Sequence, residues 1–460
     1  MGLFALFIIT LLLWGLNYVI TNGDFLAPST LFCEMFFLYE MICLIGKSYY
    51  KIIIHAETII VITCGLLIFT VFCAISNNRR RFKVGYSTSK FLELHYIAIP
   101  DIMIYILIGL QLGTVYFFVQ YLHAISNAWG SGGSSLTEMI SLYDTMTKFW
   151  TATFTKLNVS IPMFYRIFSP ITSAAAYIVL YVAVNNFAVC KKIKKSHIIV
   201  ILLLCILILL NGSRSPILRV VTMIISLLYV FYYKVHKRKN KGIKAFVKLV
   251  SLMLIVAGLM ILALFMMGRA ANLDNILGYV FTYLGAPIVN LDTFLNKSDI
   301  GAINGLSTLF GEHTFCGAYN YIGKIFDIES FTNISDINVF TFSTNGIEIG
   351  NVYTTFYPFI YDFGYIGILP LLSIPAVYYC FTYNKVLRMS ERNVFNYKLF
   401  IFSYLFNDLV MLPFSNRFYE TVLDAAFLKF LILSWVLVDL LFEHSVVLGK
   451  TRIRIRLIKQ

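Results

Sequence analysis

Apolar residues in this chain run in long unbroken blocks separated by short polar stretches, with neither the alternation of a half-buried strand nor a heptad repeat. A bilayer core about 30 Å thick takes about 20 apolar residues per helix. By that ruler the sequence predicts eleven transmembrane helices, at approximately 2–20, 29–46, 57–76, 96–120, 163–189, 198–212, 216–233, 246–267, 359–383, 395–413 and 423–442. The expected fold class is therefore an all-α polytopic membrane protein with a large exterior loop cap. The organisation that follows is helices one to eight over 1–267, a cap over 268–358, and helices nine to eleven with a basic tail over 359–460. The first block is apolar from its second residue and lacks a basic lead and a small-residue cleavage site, so it reads as a spanning helix and not a removable signal.

Two hydrophilic stretches break the rhythm. Gly268 to Pro358 is far longer than an ordinary connection, and its mixture of tyrosine and phenylalanine with Gly, Asn and Asp is that of a segment that folds over the helices. Within 121–162, Leu136, Met139, Ile140, Leu142 and Tyr143 fall at helical spacing after a Ser-Gly run, the pattern of an amphipathic helix lying in the membrane interface.

Composition agrees: 59% of the 460 residues are hydrophobic and 13% charged, outside the range of a soluble domain. The net charge of +14 raises the question of a nucleic-acid partner, but position argues against one. Of 37 Lys and Arg, 25 lie in five short stretches, at 79–90, 191–195, 234–248, 385–398 and 450–459. Short loops rich in Lys and Arg stay cytoplasmic and meet anionic lipid, which orients the chain and leaves membrane lipids as the partner. This orientation places the amino terminus outside and leaves Lys47 and Lys51 on the exterior, against the rule. Seven of the eight cysteines fall in or beside apolar blocks and Cys316 lies alone in a loop, so neither a disulfide framework nor a metal cluster is expected.

The candidate chemistry lies on the exterior side. The Asn211 to Pro216 turn follows a short apolar run and carries Arg214, whose planar fork suits phosphate oxygens; the alternative is contact with lipid head groups. Arg219, one turn further on, either assists or pairs with a helix acid such as Glu34 or Asp408. Arg269 and Arg417 stand at other exterior helix ends, where several arginines can converge on one anion. Glu312 and His313 are the loop's candidates for proton transfer, with a solvated pair as the plainer reading. Tyr353, Tyr357 and Tyr361 recur every four residues and would share a helix face suited to sugar rings or to an aromatic belt, beside Asp362, which needs a partner.

The Asp24-Phe25-Leu26-Ala27-Pro28-Ser29 approach to the second helix, the Gly212-Ser213-Arg214 turn and the Asn351 to Gly367 segment, in this order, resemble bacterial oligosaccharide repeat-unit polymerases of the Wzy type. The resemblance implies a multi-pass protein of the bacterial cytoplasmic membrane. It would join undecaprenyl-pyrophosphate-linked oligosaccharide units at the exterior face, making O-antigen, capsule or exopolysaccharide, with a chain-length regulator as a further partner. Such polymerases are similar in layout to O-antigen ligases, in which exterior arginines hold the lipid pyrophosphate and neither metal nor cofactor is needed. The ligases' spacing from a basic residue to glycine is not met: His313 reaches Gly323 one position too soon. On this reading Arg214, Arg269 and Arg417 neutralise the leaving pyrophosphate, His313 or Glu312 accepts the sugar hydroxyl proton, and Asp362 orients an arginine or a sugar. The competing expectation is a flippase for the same lipid-linked glycans, which would line a central path with charge and would not need so long a cap.

Overall fold

The computed structural model of the chain describes residues 1–83, 94–212, 215–235, 278, 280–297, 309–332, 340–388, 395–443, 446–448 and 451–453. Among them the chain is almost wholly helical, in a bundle of α1 (Gly2–Ile20), α2 (Pro28–Tyr50), α3 (Ala56–Lys83), α4 (Asp101–Ala128), α5 (Leu136–Phe149), α6 (Thr151–Lys156), α7 (Met163–Cys190), α8 (Lys195–Leu210) and α9 (Ser215–Val235), followed by the cap and the last helices. Eight of the described helices are long and apolar enough to cross a membrane. The protein is an all-α, multi-pass membrane protein.

Four of the eleven expected spans call for comment. The block at 246–267 lies outside the described residues. The block at 198–212 forms α8, at 16 residues shorter than the eight candidate spans. The block at 395–413 forms a helix of only 14 residues, Tyr397–Val410, about 21 Å long at 1.5 Å per residue. Almost every side chain from Leu399 to Val410 is buried, Asp408 included, so protein and not lipid surrounds this helix. The expected ninth helix is also divided. Phe356–Phe363 ends at Gly364, whose φ of 65° is one that glycine adopts without a Cβ penalty, and the chain restarts through Tyr365–Gly367 into Ile368–Arg388.

In lipid, helices associate through packing and polar ties, since the surrounding tails are as apolar as leucine. Such ties recur here. Thr10 donates to Glu40 at 2.8 Å, Asn17 Nδ2 to Thr70 Oγ1 at 2.8 Å, and Arg219 Nη2 lies 2.8 Å from Asp408 Oδ1. Each tie of this kind contributes on the order of 0.6 kcal/mol on average in a membrane interior.

The described parts of the cap share one end of the bundle. Ala286–Lys297 sinks into it, with Ala286, Ile288 and Leu291 fully buried. Asp292 on this helix accepts from the His55 backbone N–H at 2.7 Å and the Thr58 hydroxyl at 2.6 Å, and meets His55 Nδ1 at 2.7 Å. A two-stranded hairpin, Thr341–Phe342 with Glu348–Gly350, follows. Its turn residues Thr344 and Asn345 donate to the carbonyls of Lys51 and Tyr49 at 3.0 and 2.8 Å. The turn bearing Lys51 therefore stands at the same end as the cap, where the orientation drawn from the sequence puts it despite its charge.

Helix α5 begins with a capping box: Glu138 N–H donates to the Ser135 hydroxyl and Ser135 N–H to the Glu138 carboxylate. Its apolar face meets the bundle itself, Met139 and Met146 packing with Phe118, Tyr121 and Leu122 of α4. Beside it runs the Asn211-Gly212 turn. Gly212 has a φ of 71°, and a Cβ there would lie 2.7 Å from the Asp144 Cβ, so the approach of α5 to the turn requires glycine.

Candidate functional site

The segment expected as a tyrosine-rich helix rim forms the floor of a cleft at the cap end. Tyr353 precedes the Phe356–Phe363 helix, yet its ring stacks on Tyr357 at 4.3 Å, and Tyr357 lies 5.8 Å from Tyr361. The four-residue spacing thus yields a ladder of three rings. Phe294 of the Ala286–Lys297 helix packs behind it, 4.7 Å from Tyr357 and 6.3 Å from Tyr361.

Asp362, 7% exposed, accepts the backbone N–H groups of His313 at 3.2 Å and Thr314 at 2.6 Å. The Thr314 hydroxyl donates to the Pro358 carbonyl at 3.3 Å, so two bonds from one carboxylate and one hydroxyl pin the His313 loop to the tyrosine helix. Asp362 thus holds backbone N–H groups of the loop. The pinned loop sets the His313 ring edge-on to Tyr361 at 4.3 Å, with Nε2 3.7 Å from Glu312 Oε1. Glu312 in turn accepts the Leu309 N–H at 3.1 Å.

The opposite wall comes from Ser415, Asn416 and the Arg417–Val422 helix. Asn416 Nδ2 donates to the Thr314 carbonyl at 3.2 Å, joining the two walls. Arg417 Nη1 lies 3.1 Å from Glu420 Oε2, and its guanidinium stands 5.4 Å from the Phe414 ring centre. Between the walls lies a small open cleft, lined by His313, Tyr353, Tyr357, Asn416, Glu420 and their neighbours. One lining residue, Asn416, has a buried Oδ1 with no hydrogen-bond partner. Such atoms are uncommon in native proteins and mark places where a ligand or water completes the bonding.

Burial pushes the Tyr353 phenol up to about 12. Tyr357 is raised by burial and by its tyrosine neighbours, and Tyr361 by burial first and the nearby carboxylates second. All three remain neutral hydroxyls near pH 7, able to donate a hydrogen bond and unable to serve as bases.

The structure brings together His313, Glu312, Asp362, Tyr353, Tyr357, Tyr361 and Arg417. Arg214 and Arg269 lie outside the described residues. Arg219 takes the second of its two expected roles: Asp408, Tyr404 at 2.9 Å and Thr421 at 3.0 Å hold its guanidinium inside the bundle. Taking a guanidinium out of water is costly, and a hydrogen-bonded carboxylate in contact offsets that penalty. Cys316, expected in an exposed loop, is 8% exposed and lines the cleft.

Asn416 and Glu420 escaped the reading of the sequence. Their signal was present, because Ser415-Asn416-Arg417-Phe418-Tyr419-Glu420 is a polar interruption between two apolar blocks, with an acid three residues after an arginine. Among the described residues no group of three or more His, Cys, Asp or Glu is placed to hold a metal ion. Comparison with protein-family models, with curated proteins and with solved structures finds no match to this chain.

Proposed function

We propose that this membrane protein is a glycosyltransferase of the repeat-unit polymerase kind, and that the cap-end cleft is where it joins lipid-linked oligosaccharides. The observation that carries the reading is the cleft itself. A multi-pass bundle places the stacked rings of Tyr353 and Tyr357, a pinned histidine, Asn416 and Glu420 around one opening. Flat aromatic faces suit sugar rings, and a bundle of this apolar character gives a polyprenyl tail a solvent.

The transfer balances as follows. A hydroxyl oxygen of the incoming unit attacks the anomeric carbon of the growing chain. The bond from that carbon to the pyrophosphate oxygen breaks, and the electron pair leaves with the lipid pyrophosphate. His313 takes the hydroxyl proton, and Glu312 beside its Nε2 stabilises the imidazolium that forms. Asp362 acts through the loop, since its two oxygens accept the backbone that carries His313. Arginines expected from the sequence, Arg214 and Arg269, are the candidates for neutralising charge on the leaving pyrophosphate, since Glu420 already engages Arg417.

The test is reconstitution. Purified protein in nanodiscs, given lipid-linked repeat units extracted from its own cells, should produce a ladder of polymer, undiminished by excess chelator. No ladder from folded protein would overturn the reading, and strict dependence on a divalent ion would overturn its metal-free form.

One observation favours a flippase as the second reading. Glu40 is fully buried in α2 with its Oε2 unpartnered, and ionisable groups at such depth commonly serve transport. Liposomes that move lipid-linked units between leaflets without lengthening them would select this alternative.

A further inference from the structure

We infer that the cleft between the Tyr353–Tyr357 platform and Asn416–Glu420 receives the uncharged acceptor end of the glycan through its hydroxyl groups, and that the pyrophosphate is held elsewhere. The inference rests on the polymerase reading and assigns the substrate portion that this site takes.

The first argument is the sign of the charge. The described residues bring three carboxylates to the cleft and its rim, Glu312, Asp362 and Glu420, against the single guanidinium of Arg417. That guanidinium is already engaged, with Glu420 Oε2 at 3.1 Å and the Phe414 ring face beneath it. A pyrophosphate in this space would approach carboxylates with its own negative charge, and a neutral sugar carries no such penalty.

The second argument is a fixed, empty acceptor. Asn416 is 3% exposed and lines the cleft. Its Nδ2 donates to the Thr314 carbonyl, which settles the orientation of the amide, and its Oδ1 has no partner. A carbonyl oxygen accepts hydrogen bonds and cannot give one, so only a donor completes it. Sugar hydroxyls are donors and phosphate oxygens at neutral pH are acceptors. Glu420 offers a second acceptor: its contacts with Arg417 and with the Ser415 hydroxyl both fall on Oε2.

The third argument is the platform. Tyr353 and Tyr357, stacked at 4.3 Å, line the same space, and their raised phenols stay neutral. The C–H face of a pyranose packs on such rings while its equatorial hydroxyls reach the acceptors opposite.

The experiment uses the full chain in nanodiscs and two probes. One is the repeat-unit oligosaccharide freed of lipid and phosphate by mild acid, and the other is inorganic pyrophosphate. Calorimetry should show the phosphate-free oligosaccharide binding to the unaltered protein, with millimolar pyrophosphate leaving its Kd unchanged. Asn416→Ala and Glu420→Gln should each raise that Kd at least tenfold. Competition by pyrophosphate on the unaltered protein would overturn the inference without any variant having to fold. So would the absence of oligosaccharide binding, or folded Asn416→Ala binding with undiminished affinity. The same preparation is assayed for polymer: a chain that makes polymer while its sugar binding ignores Asn416 refutes this assignment alone, and a chain that makes none refutes the polymerase reading.

Discussion

Two buried aspartates stand at opposite ends of the bundle, and they do different work. Asp24, at the turn between α1 and α2, accepts from the hydroxyls of Tyr229 at 2.5 Å and Tyr383 at 2.9 Å and from the Leu26 N–H at 3.2 Å. It ties α9 and the Ile368–Arg388 helix to the first turn. Asp362, at the cap end, accepts two backbone N–H groups of one loop. Burial is similar, 3% exposed against 7%, so depth does not separate them. Their surroundings do. Beside Asp362 lies an open cleft, lined by His313 of the loop that Asp362 holds and by Asn416. A buried carboxylate that ties helices to one another is a joint, and one that holds the loop lining a cleft belongs to a site.

The Arg219–Asp408 pair belongs with the joints and gives the largest expected effect. Asp408→Ala leaves a guanidinium uncompensated inside the bundle, which should cost about 3 to 5 kcal/mol and sharply reduce the yield of monodisperse protein. Arg219→Met combined with Asp408→Leu should recover most of that loss in a thermal unfolding assay.

The two aspartates themselves come next. Asp24→Ala and Asp362→Ala each strand buried donors, at about 1 to 3 kcal/mol. Polymer formed per folded molecule should separate them: unchanged for Asp24→Ala and at least tenfold lower for Asp362→Ala. Equal activity in both variants would erase the distinction between joint and site. Tyr383→Phe removes one neutral donor and should cost about 1 kcal/mol with no change in polymer.

The smallest effect is in pH. Tyr353 has a phenol raised by burial to about 12, above its ordinary value of about 10. Its contribution to stability is therefore complete below about pH 10 and is lost as pH rises from there toward 12. The pH profile of transfer should carry no tyrosine limb below pH 10, and Tyr353→Phe should leave the shape of that profile unchanged between pH 6 and 9.

The fold was legible because lipid enforces a simple pattern: α1 spans Gly2–Ile20, as its apolar block predicts. Reading failed where protein replaces lipid around a helix, as at Tyr397–Val410, since the sheath of neighbouring side chains leaves no mark in the sequence of the helix it covers. The break at Gly364 was visible as a glycine, but its left-handed φ depends on the packing of the two helices it joins. The tyrosine ladder was legible from its spacing. The hold of Asp362 on the His313 loop was not, because backbone N–H groups are carried by every residue and no side-chain pattern announces them. Asn416 was missed for a related reason: an unpartnered oxygen is a property of the folded surroundings alone.

The most direct measurement places a photoreactive phenylalanine at Tyr357 and, in a separate protein, at Tyr229. Each is illuminated in nanodiscs with radiolabelled lipid-linked repeat units. Labelled adduct is expected from position 357, at the cap-end cleft, and none from position 229 beside Asp24. Adduct at 229 with none at 357 would contradict that expectation, placing the glycan at the end assigned here to structure.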